Sequence, residues 1–274
     1  MILAFLISLG FFFLSLSFPL IAFALPTYQI KNLAKWGLQR SILLHLVILI
    51  LLWLFQKELC LVYFVLPFSI SLWYFFFVYL LGKEERDMNQ IVVTALSSTA
   101  MLGLYWNFFH KQYQKEYELV LGIYQKAYQL TQAEIQGIHE YIAGYFPSMI
   151  FQYMMLTVFF CYLALVGMKK YREWSLHYVW TVPYIVYSLM INVFRIENIY
   201  IHNFGEMAKA ILLWYGIKSI YDLLADYFKK FAWILHGASF LLAIEFPNAV
   251  FIFGGIILLL EHYSRKKIGD FGKK

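Results

Sequence analysis

Long apolar stretches separated by short polar segments dominate the chain, and this pattern indicates helices that cross a membrane. A spanning helix needs about 20 mostly apolar residues. Eight stretches lack Asp, Glu, Lys and Arg, and a ninth, residues 205–224, is apolar apart from four charged residues. The sequence therefore predicts an all-α fold, a polytopic transmembrane helix bundle of about eight to nine spans within a single domain, residues 1–274. The eight stretches are residues 1–30, 41–56, 59–82, 88–110, 141–168, 174–194, 231–244 and 246–260.

Two of these stretches need further interpretation. The first, residues 1–30, is predicted to be a true span with a kink at Pro19, because it is longer than a secretion signal and has no basic residue before it. Residues 231–260 are compatible with one long helix or with a tight hairpin that turns at residues 245–248. The hairpin is favoured, because a single helix would bury Glu245 near the middle of the membrane.

The distribution of Lys and Arg predicts the orientation, because these residues collect in cytoplasmic loops. With nine spans and the N-terminus outside, fifteen Lys and Arg fall in inner segments and five in outer segments. The C-terminus is then cytoplasmic. The composition, 62% hydrophobic and 14% charged, excludes a soluble or disordered protein. The net charge is +6, but most of the basic residues lie in the segments between spans, so no nucleic-acid partner is expected.

One long polar segment, residues 110–146, separates the fourth and fifth spans. Its Tyr, Val and Ile residues recur at helical spacing with Lys, Gln and Glu between them, which predicts a long outer amphipathic helix with a break near Gly122 or Gly137. It is interpreted either as an interfacial helix with tyrosines at headgroup depth or as a lid over a cavity. The lid residues would be Tyr113, Tyr117, Tyr124 and Tyr128.

Charged residues within the seventh span are the first candidates for a binding site, because charges in a membrane are costly. Glu206 and Lys209 are three residues apart, and Lys218 and Asp222 are four residues apart. Helical geometry places the two pairs on nearly opposite sides of the helix. They are interpreted either as local ion pairs that anchor the helix ends or as ligand-binding groups.

Further polar residues crowd the short outer loop before this span. Together with residues of the last hairpin they would form a polar vestibule, with an ordinary solvated loop as the alternative. The predicted ligand-binding residues are Arg195, His202, Glu206, Lys209, Lys218, Asp222 and Glu245. His45 and His236 are isolated within spans, where a hydrogen bond to a neighbouring helix is expected and a proton relay is the alternative.

No catalytic motif is present in the sequence. His139-Glu140 begins like a zinc-protease helix, but Ala143 occupies the position of the required second histidine. Nucleophile-elbow, P-loop and dinucleotide-binding motifs are also missing. Cys60 and Cys161 lie in apolar runs and are expected to be packing residues. The sequence therefore predicts a non-enzymatic protein with no metal and no cofactor.

Five short elements follow one another in the second half of the chain, after the polar segment. They are Pro147-Ser148-Met149-Ile150, Lys169-Lys170-Tyr171-Arg172, Trp180-Thr181-Val182-Pro183, Tyr215-Gly216 and Arg265-Lys266-Lys267. Over roughly residues 110–267, this order resembles the bacterial YybS-like family of multi-pass membrane proteins, which is defined by a domain of unknown function. Such proteins are similar in outline to the substrate-binding membrane subunits of energy-coupling-factor vitamin transporters, which need separate ATPase partners. The resemblance implies a multi-pass protein of the bacterial cytoplasmic (inner) membrane.

Two functional hypotheses follow from these features. The first is a non-enzymatic component that binds or helps to transport a small molecule. The second is a structural or assembly subunit whose aromatic residues dock a larger membrane complex. The expected partners are the lipid bilayer and other membrane proteins or transporter subunits.

Overall fold

The computed structural model describes residues 2–77, 87–166, 171–228 and 232–271. Within these ranges the chain forms helices and no strand, which confirms the predicted all-α class. Four predicted spans include residues outside these ranges: 1–30, 59–82, 141–168 and 231–244. The described part contains eleven α-helices: α1 (Ile2–Ser17), α2 (Ala24–Trp36), α3 (Leu38–Phe55), α4 (Lys57–Tyr63), α5 (Ser69–Phe75), α6 (Asp87–Tyr128), α7 (Gln132–Val166), α8 (Val182–Asn192), α9 (Ile199–Tyr227), α10 (Ala232–Glu245) and α11 (Pro247–Phe271).

Five helical segments of the described chain are long and apolar enough to cross a membrane, so the chain has the features of a membrane protein. Four of the nine predicted spans are not in this group. The described parts of 1–30 and 231–244 contain the shorter apolar helices Ile2–Ser17 and Ile234–Glu245. The stretch 174–194 contains a 3-10 turn and α8, which has only 11 residues. The stretch 205–224 lies within α9, where four charged residues lower its apolar character. The five segments are Leu38–Phe55, Lys57–Phe75, Met88–Phe108, Gln132–Leu165 and Pro247–Ser264.

The chain divides into two compact units. Unit 1 contains Met1–Leu81 and Val93–Cys161, and unit 2 contains Gly82–Val92 and Tyr162–Lys274. Each unit has its own packing.

In unit 1, the first apolar stretch is not a single span. Helix α1 ends at Ser17, a 3-10 turn covers Pro19–Ile21, and α2 begins at Ala24. Proline lacks the N–H that would continue the helix, so Pro19 ends α1 rather than bending it. The prediction of one kinked helix over residues 1–30 is therefore wrong.

Helices α4 and α5 of unit 1 run together through a π-helical turn at Phe64–Phe68. Pro67 lies inside this turn. A proline within an α-helix collides with the carbonyl one turn earlier, and a wider π turn provides space for it. The two short helices and the turn together form the candidate span Lys57–Phe75.

The polar segment 110–146 is not a separate helix. Helix α6 continues without a break to Tyr128, and α7 begins at Gln132 and continues to Val166. The predicted break near Gly122 or Gly137 is wrong, because both glycines lie inside helices. The chain reverses instead at Gln129, whose φ of 55° is left-handed. The residues of the predicted amphipathic helix, 110–146, therefore belong to the end of α6 and the start of α7.

A reciprocal pair of hydrogen bonds fixes the start of α7. The backbone N–H of Thr131 donates to Glu134 Oε2 at 2.7 Å, and the backbone N–H of Glu134 donates to Thr131 Oγ1 at 3.3 Å. This arrangement is a capping box, which satisfies backbone donors at a helix N-terminus. It stabilises the sharp turn between α6 and α7.

The ends of α6 and α7 form an antiparallel helical hairpin. Three side-chain contacts connect residues at increasing distance from the turn, as an antiparallel register requires. At about 1.5 Å per residue, α6 continues for about 30 Å beyond Phe108. The contacts are Gln125 Nε2 to Gln132 Oε1 at 3.3 Å, Tyr117 OH to His139 Nδ1 at 3.2 Å, and the Trp106 and Phe146 rings at 4.7 Å.

In unit 2, α9 is the central helix. It contacts α8, α10 and α11, and 14 of its 29 residues are buried. Helix α10 ends at Glu245 and α11 begins at Pro247, so residues 231–260 are not one long helix. Helices α10 and α11 also contact each other. This break is in the position that the hairpin interpretation predicted.

Candidate functional site

Two of the charged residues predicted to bind a ligand, Glu206 and Lys209, form an ion pair on α9. Lys209 Nζ donates to Glu206 Oε1 at 2.6 Å. The same ammonium group lies 5.7 Å from the centroid of the Tyr187 ring. Tyr187 reaches this position because Gly205 has no side chain: a Cβ there would lie 2.4 Å from the ring. The predicted local ion pair is present, with an aromatic ring beside it.

The second predicted pair, Lys218 and Asp222, is more deeply buried. Lys218 Nζ lies 2.5 Å from Asp222 Oδ2, and the lysine side chain is 6% exposed. Lys218 also lies 5.8 Å from the centroid of the Tyr215 ring. One turn farther along α9, Asp226 pairs with Arg172. The buried ammonium group of Lys218 and the carboxylate of Asp222 therefore compensate each other's charge.

Of the remaining predicted binding residues of unit 2, His202 lies near the same Tyr187 ring as Lys209, whereas Arg195 and Glu245 are exposed. Arg195 is exposed in the loop before α9 and has a left-handed φ of 53°. The His202 ring lies 6.3 Å from the Tyr187 ring. Glu245 is exposed at the end of α10. Within the described residues, no ion pair connects Arg195 or Glu245 to another predicted binding residue. A shared vestibule stays a prediction.

The two histidines of the predicted spans have different surroundings. His45 Nδ1 lies 2.9 Å from the hydroxyl oxygen of Tyr63, which belongs to another helix, as expected from the sequence. The His236 ring packs among aromatic rings, with centroid distances of 4.9 Å to Tyr171 and 5.6 Å to Tyr221.

A buried hydrogen-bond network around Tyr63 connects α2 to α5 in unit 1. Gln29 Nε2 donates to Tyr63 OH at 2.8 Å, and Ser71 Oγ donates to Gln29 Oε1 at 2.6 Å. His45 completes the network. Gln29, Tyr63 and Ser71 were not among the residues predicted from the sequence. Gln29 was detectable as a polar residue within an apolar stretch, whereas its partners are hydroxyl residues that are common in membrane helices.

A cleft lies between α6 and α7 at the base of the hairpin in unit 1. Its main cavity measures about 580 Å³, and an adjoining cavity of about 390 Å³ shares Trp106, Phe146 and Pro147 with it. Volumes of this size suit small molecules. The described residues lining the main cavity are Trp106, Gln114, Tyr117, Glu118, His139, Ile142, Ala143, Phe146 and Pro147.

The polar side chains of the cleft are oriented by their neighbours. Gln114 Nε2 donates to Glu118 Oε1 at 3.1 Å, which holds the carboxylate along the wall formed by α6. Tyr117 bridges the cleft to His139 on α7. Desolvation raises the pKa of Tyr117 above its ordinary value. A tyrosine hydroxyl can both donate and accept a hydrogen bond.

Pro147 modifies the α7 wall of the cleft. It lies inside the helix, one turn after Ala143. Since proline has no N–H, it cannot donate the helical hydrogen bond to the carbonyl of Ala143, which lines the same cavity. The α7 wall thus contains a backbone acceptor without its usual helical donor.

The four predicted lid tyrosines have separate locations. Tyr117 lines the cleft. Tyr124 and Tyr128 lie about 10 and 16 Å farther along the helix, where their rings stack at 5.8 Å and are exposed. The side chain of Tyr113 lies outside the described part of the structure. One tyrosine of the predicted lid therefore belongs to the cleft wall.

Comparisons with protein-family models, curated proteins and solved structures give no significant match. The resemblance to the YybS-like family therefore stays a prediction. Among the described residues, no group of three or more His, Cys, Asp or Glu side chains is arranged to hold a metal ion.

Proposed function

We propose that this protein is a multi-pass membrane protein that binds a small molecule in the cleft between α6 and α7, as a non-enzymatic binding or transport component. The cleft is the observation that carries the proposal. Its volume, about 580 Å³, matches that of small-molecule sites, and it combines aromatic walls with a few oriented polar groups.

The proposed topology has about eight to nine spans, with the N-terminus outside and the C-terminus cytoplasmic in a bacterial inner membrane. The distribution of Lys and Arg, fifteen in inner and five in outer segments, supports this orientation. In this topology the helical hairpin and its cleft are on the outer side. A ligand would then reach the cleft from the extracytoplasmic space.

Cysteine labelling in native membranes tests whether the cleft is occupied. Ala143 lines the cleft, whereas Ala133 is an exposed residue of the same helix that lines neither cavity. With Ala143→Cys, we expect maleimide labelling to be slow in native membranes and to accelerate after purification in detergent. Ala133→Cys should react at the same rate in both. The native Cys60 and Cys161 are buried and contribute little background. Labelling of Ala143→Cys that does not change upon purification would contradict the proposal.

A second candidate function, a structural or assembly subunit, is supported by the apolar surface of the hairpin. Leu119 is 66% exposed and Ile123 is 57% exposed on α6, near the turn. They lie on one face of the helix, since residues four apart are neighbours. Exposed apolar patches of this kind mark interaction sites. In this case Leu119→Ser with Ile123→Ser would release partner proteins from the purified complex, while occupancy of the cleft would not change.

A further inference from the structure

The described lining of the cleft carries a negative charge, whereas the whole chain is positively charged. The protein has a formal net charge of +6. Glu118 nevertheless contributes a carboxylate to the cleft, and no Lys or Arg is among the described lining residues. A cavity with this lining favours a cationic ligand over an anionic one.

Three aromatic rings surround the same space. Trp106 and Phe146 pack at 4.7 Å across the base of the cleft, and Tyr117 forms part of the wall above them. The faces of aromatic rings carry partial negative charge and attract organic cations, and sets of such rings bind quaternary ammonium groups. The aromatic lining therefore favours the same sign of ligand charge as Glu118 does.

Two hydrogen-bond acceptors of the cleft can receive a bond from a ligand, a carboxylate oxygen and a backbone carbonyl. Gln114 uses its amide N–H to hold Glu118 Oε1, so Oε2 of this carboxylate remains an acceptor. Tyr117 and His139 bond to each other. The carbonyl of Ala143 has no helical donor at Pro147. A ligand that donates hydrogen bonds fits these groups better than one that accepts them.

We propose that the cleft binds an organic cation, a protonated or quaternary amine with apolar substituents. This inference rests on the proposed function, since it specifies the ligand class of the same cleft. The amine lies against the aromatic rings and Glu118, and its apolar substituents contact Ile142 and Phe146. A free amine and the ammonium headgroup of a lipid share this chemistry.

Two probes of the same shape and opposite charge test the inference. Tetraphenylphosphonium is a cation, and tetraphenylborate is its isosteric anion. Binding of each to the full chain in neutral detergent is measured by calorimetry, with Ala143→Trp as a variant that fills the cleft and Ala133→Trp as its control. The cation should bind, and Ala143→Trp should abolish this binding while Ala133→Trp preserves it.

The carboxylate is tested separately. Glu118→Gln should weaken binding of the cation by about fivefold, since the bound ligand shields this carboxylate from water. Glu140→Gln should leave binding unchanged, because Glu140 is an exposed carboxylate of α7 that does not line the cleft. Competition by short-chain phosphatidylcholine, but not by short-chain phosphatidylglycerol, would identify a lipid headgroup as the occupant. Competition by choline alone would identify a free amine.

Two results would overturn the inference, and they are distinguishable. If both probes bind equally and Ala143→Trp abolishes both, the cleft is a small-molecule site without preference for cations, and only the ligand class is wrong. If neither probe shows binding that depends on Ala143, and Ala143→Cys labelling shows no occupancy, the proposed function fails as well.

Discussion

Gly216 of α9 and Gly254 of α11 bring the backbones of these two helices into direct contact. A Cβ at Gly254 would lie 2.9 Å from the Cα of Gly216 and 2.2 Å from the carbonyl oxygen of Leu212. A Cβ at Gly216 would lie 2.2 Å from the carbonyl oxygen of Val250. Small residues allow this close packing in membrane proteins, where no hydrophobic effect drives helices together.

The first prediction concerns this contact. Gly254→Ala should destabilise unit 2 by about 1–3 kcal/mol, because the added methyl group forces the helices apart. Gly255→Ala is the control, since a Cβ there would meet its nearest neighbour, Leu212, at an ordinary 3.6 Å. The free energy of unfolding is measured by titration with a denaturing detergent. Equal stability of the two variants would contradict the close contact.

The buried ion pair of α9 leads to the second prediction. Asp222→Asn leaves the buried ammonium group of Lys218 without its partner and should cost about 3 kcal/mol. Replacing both residues, Lys218→Met with Asp222→Leu, should recover most of this loss, because no buried charge remains. For the more exposed pair, Glu206→Gln should cost less than about 1 kcal/mol. If the double variant is as unstable as Asp222→Asn, the lost stability does not come from an unpaired buried ammonium group.

The third prediction concerns the hydrogen-bond network of unit 1. Tyr63→Phe removes the hydroxyl that joins Gln29 to His45 and should destabilise the protein by about 1 kcal/mol. Tyr200→Phe is the matched control, because Tyr200 is 79% exposed. Thermal unfolding in detergent is the measurement. If the two variants unfold at the same temperature, the network contributes nothing to stability.

The orientation of the helical hairpin is the subject of the fourth prediction. Lys126 is exposed on α6, near the turn. In the proposed topology, Lys126→Cys should react with a membrane-impermeant maleimide in intact cells. Lys273→Cys, in the basic C-terminal tail, should react only after lysis. The reverse pattern would invert the topology.

The hydrophobic pattern was sufficient to predict the all-α fold class and the positions of several helices. The break near Glu245 was predictable because charge in the membrane and a following proline both disfavour a continuous helix. The hairpin at Gln129 was harder to predict, since this position has no glycine despite its left-handed backbone. The sequence Thr131-Gln132-Ala133-Glu134 nevertheless contains the capping-box pattern that marks the start of α7.

The candidate site could be predicted only in part. Helical spacing identified the pairs Glu206–Lys209 and Lys218–Asp222, because both pairs depend on contacts within one helix. The cleft depends on which faces of α6 and α7 meet across a turn. Periodicity along one helix contains no information about that register. Helical spacing predicted Tyr117 as a lid residue. Trp106 and Glu118 line the same cleft but were not predicted, because their place in it depends on the register between the two helices.

The most direct test of the central claim is to purify the protein gently from its native membrane and identify every bound small molecule by mass spectrometry. The account predicts one small molecule that is retained by the wild-type chain and by Ala133→Trp, and lost from Ala143→Trp. Recovery of a fixed protein assembly, with no small molecule that depends on Ala143, would contradict the account and favour a structural subunit.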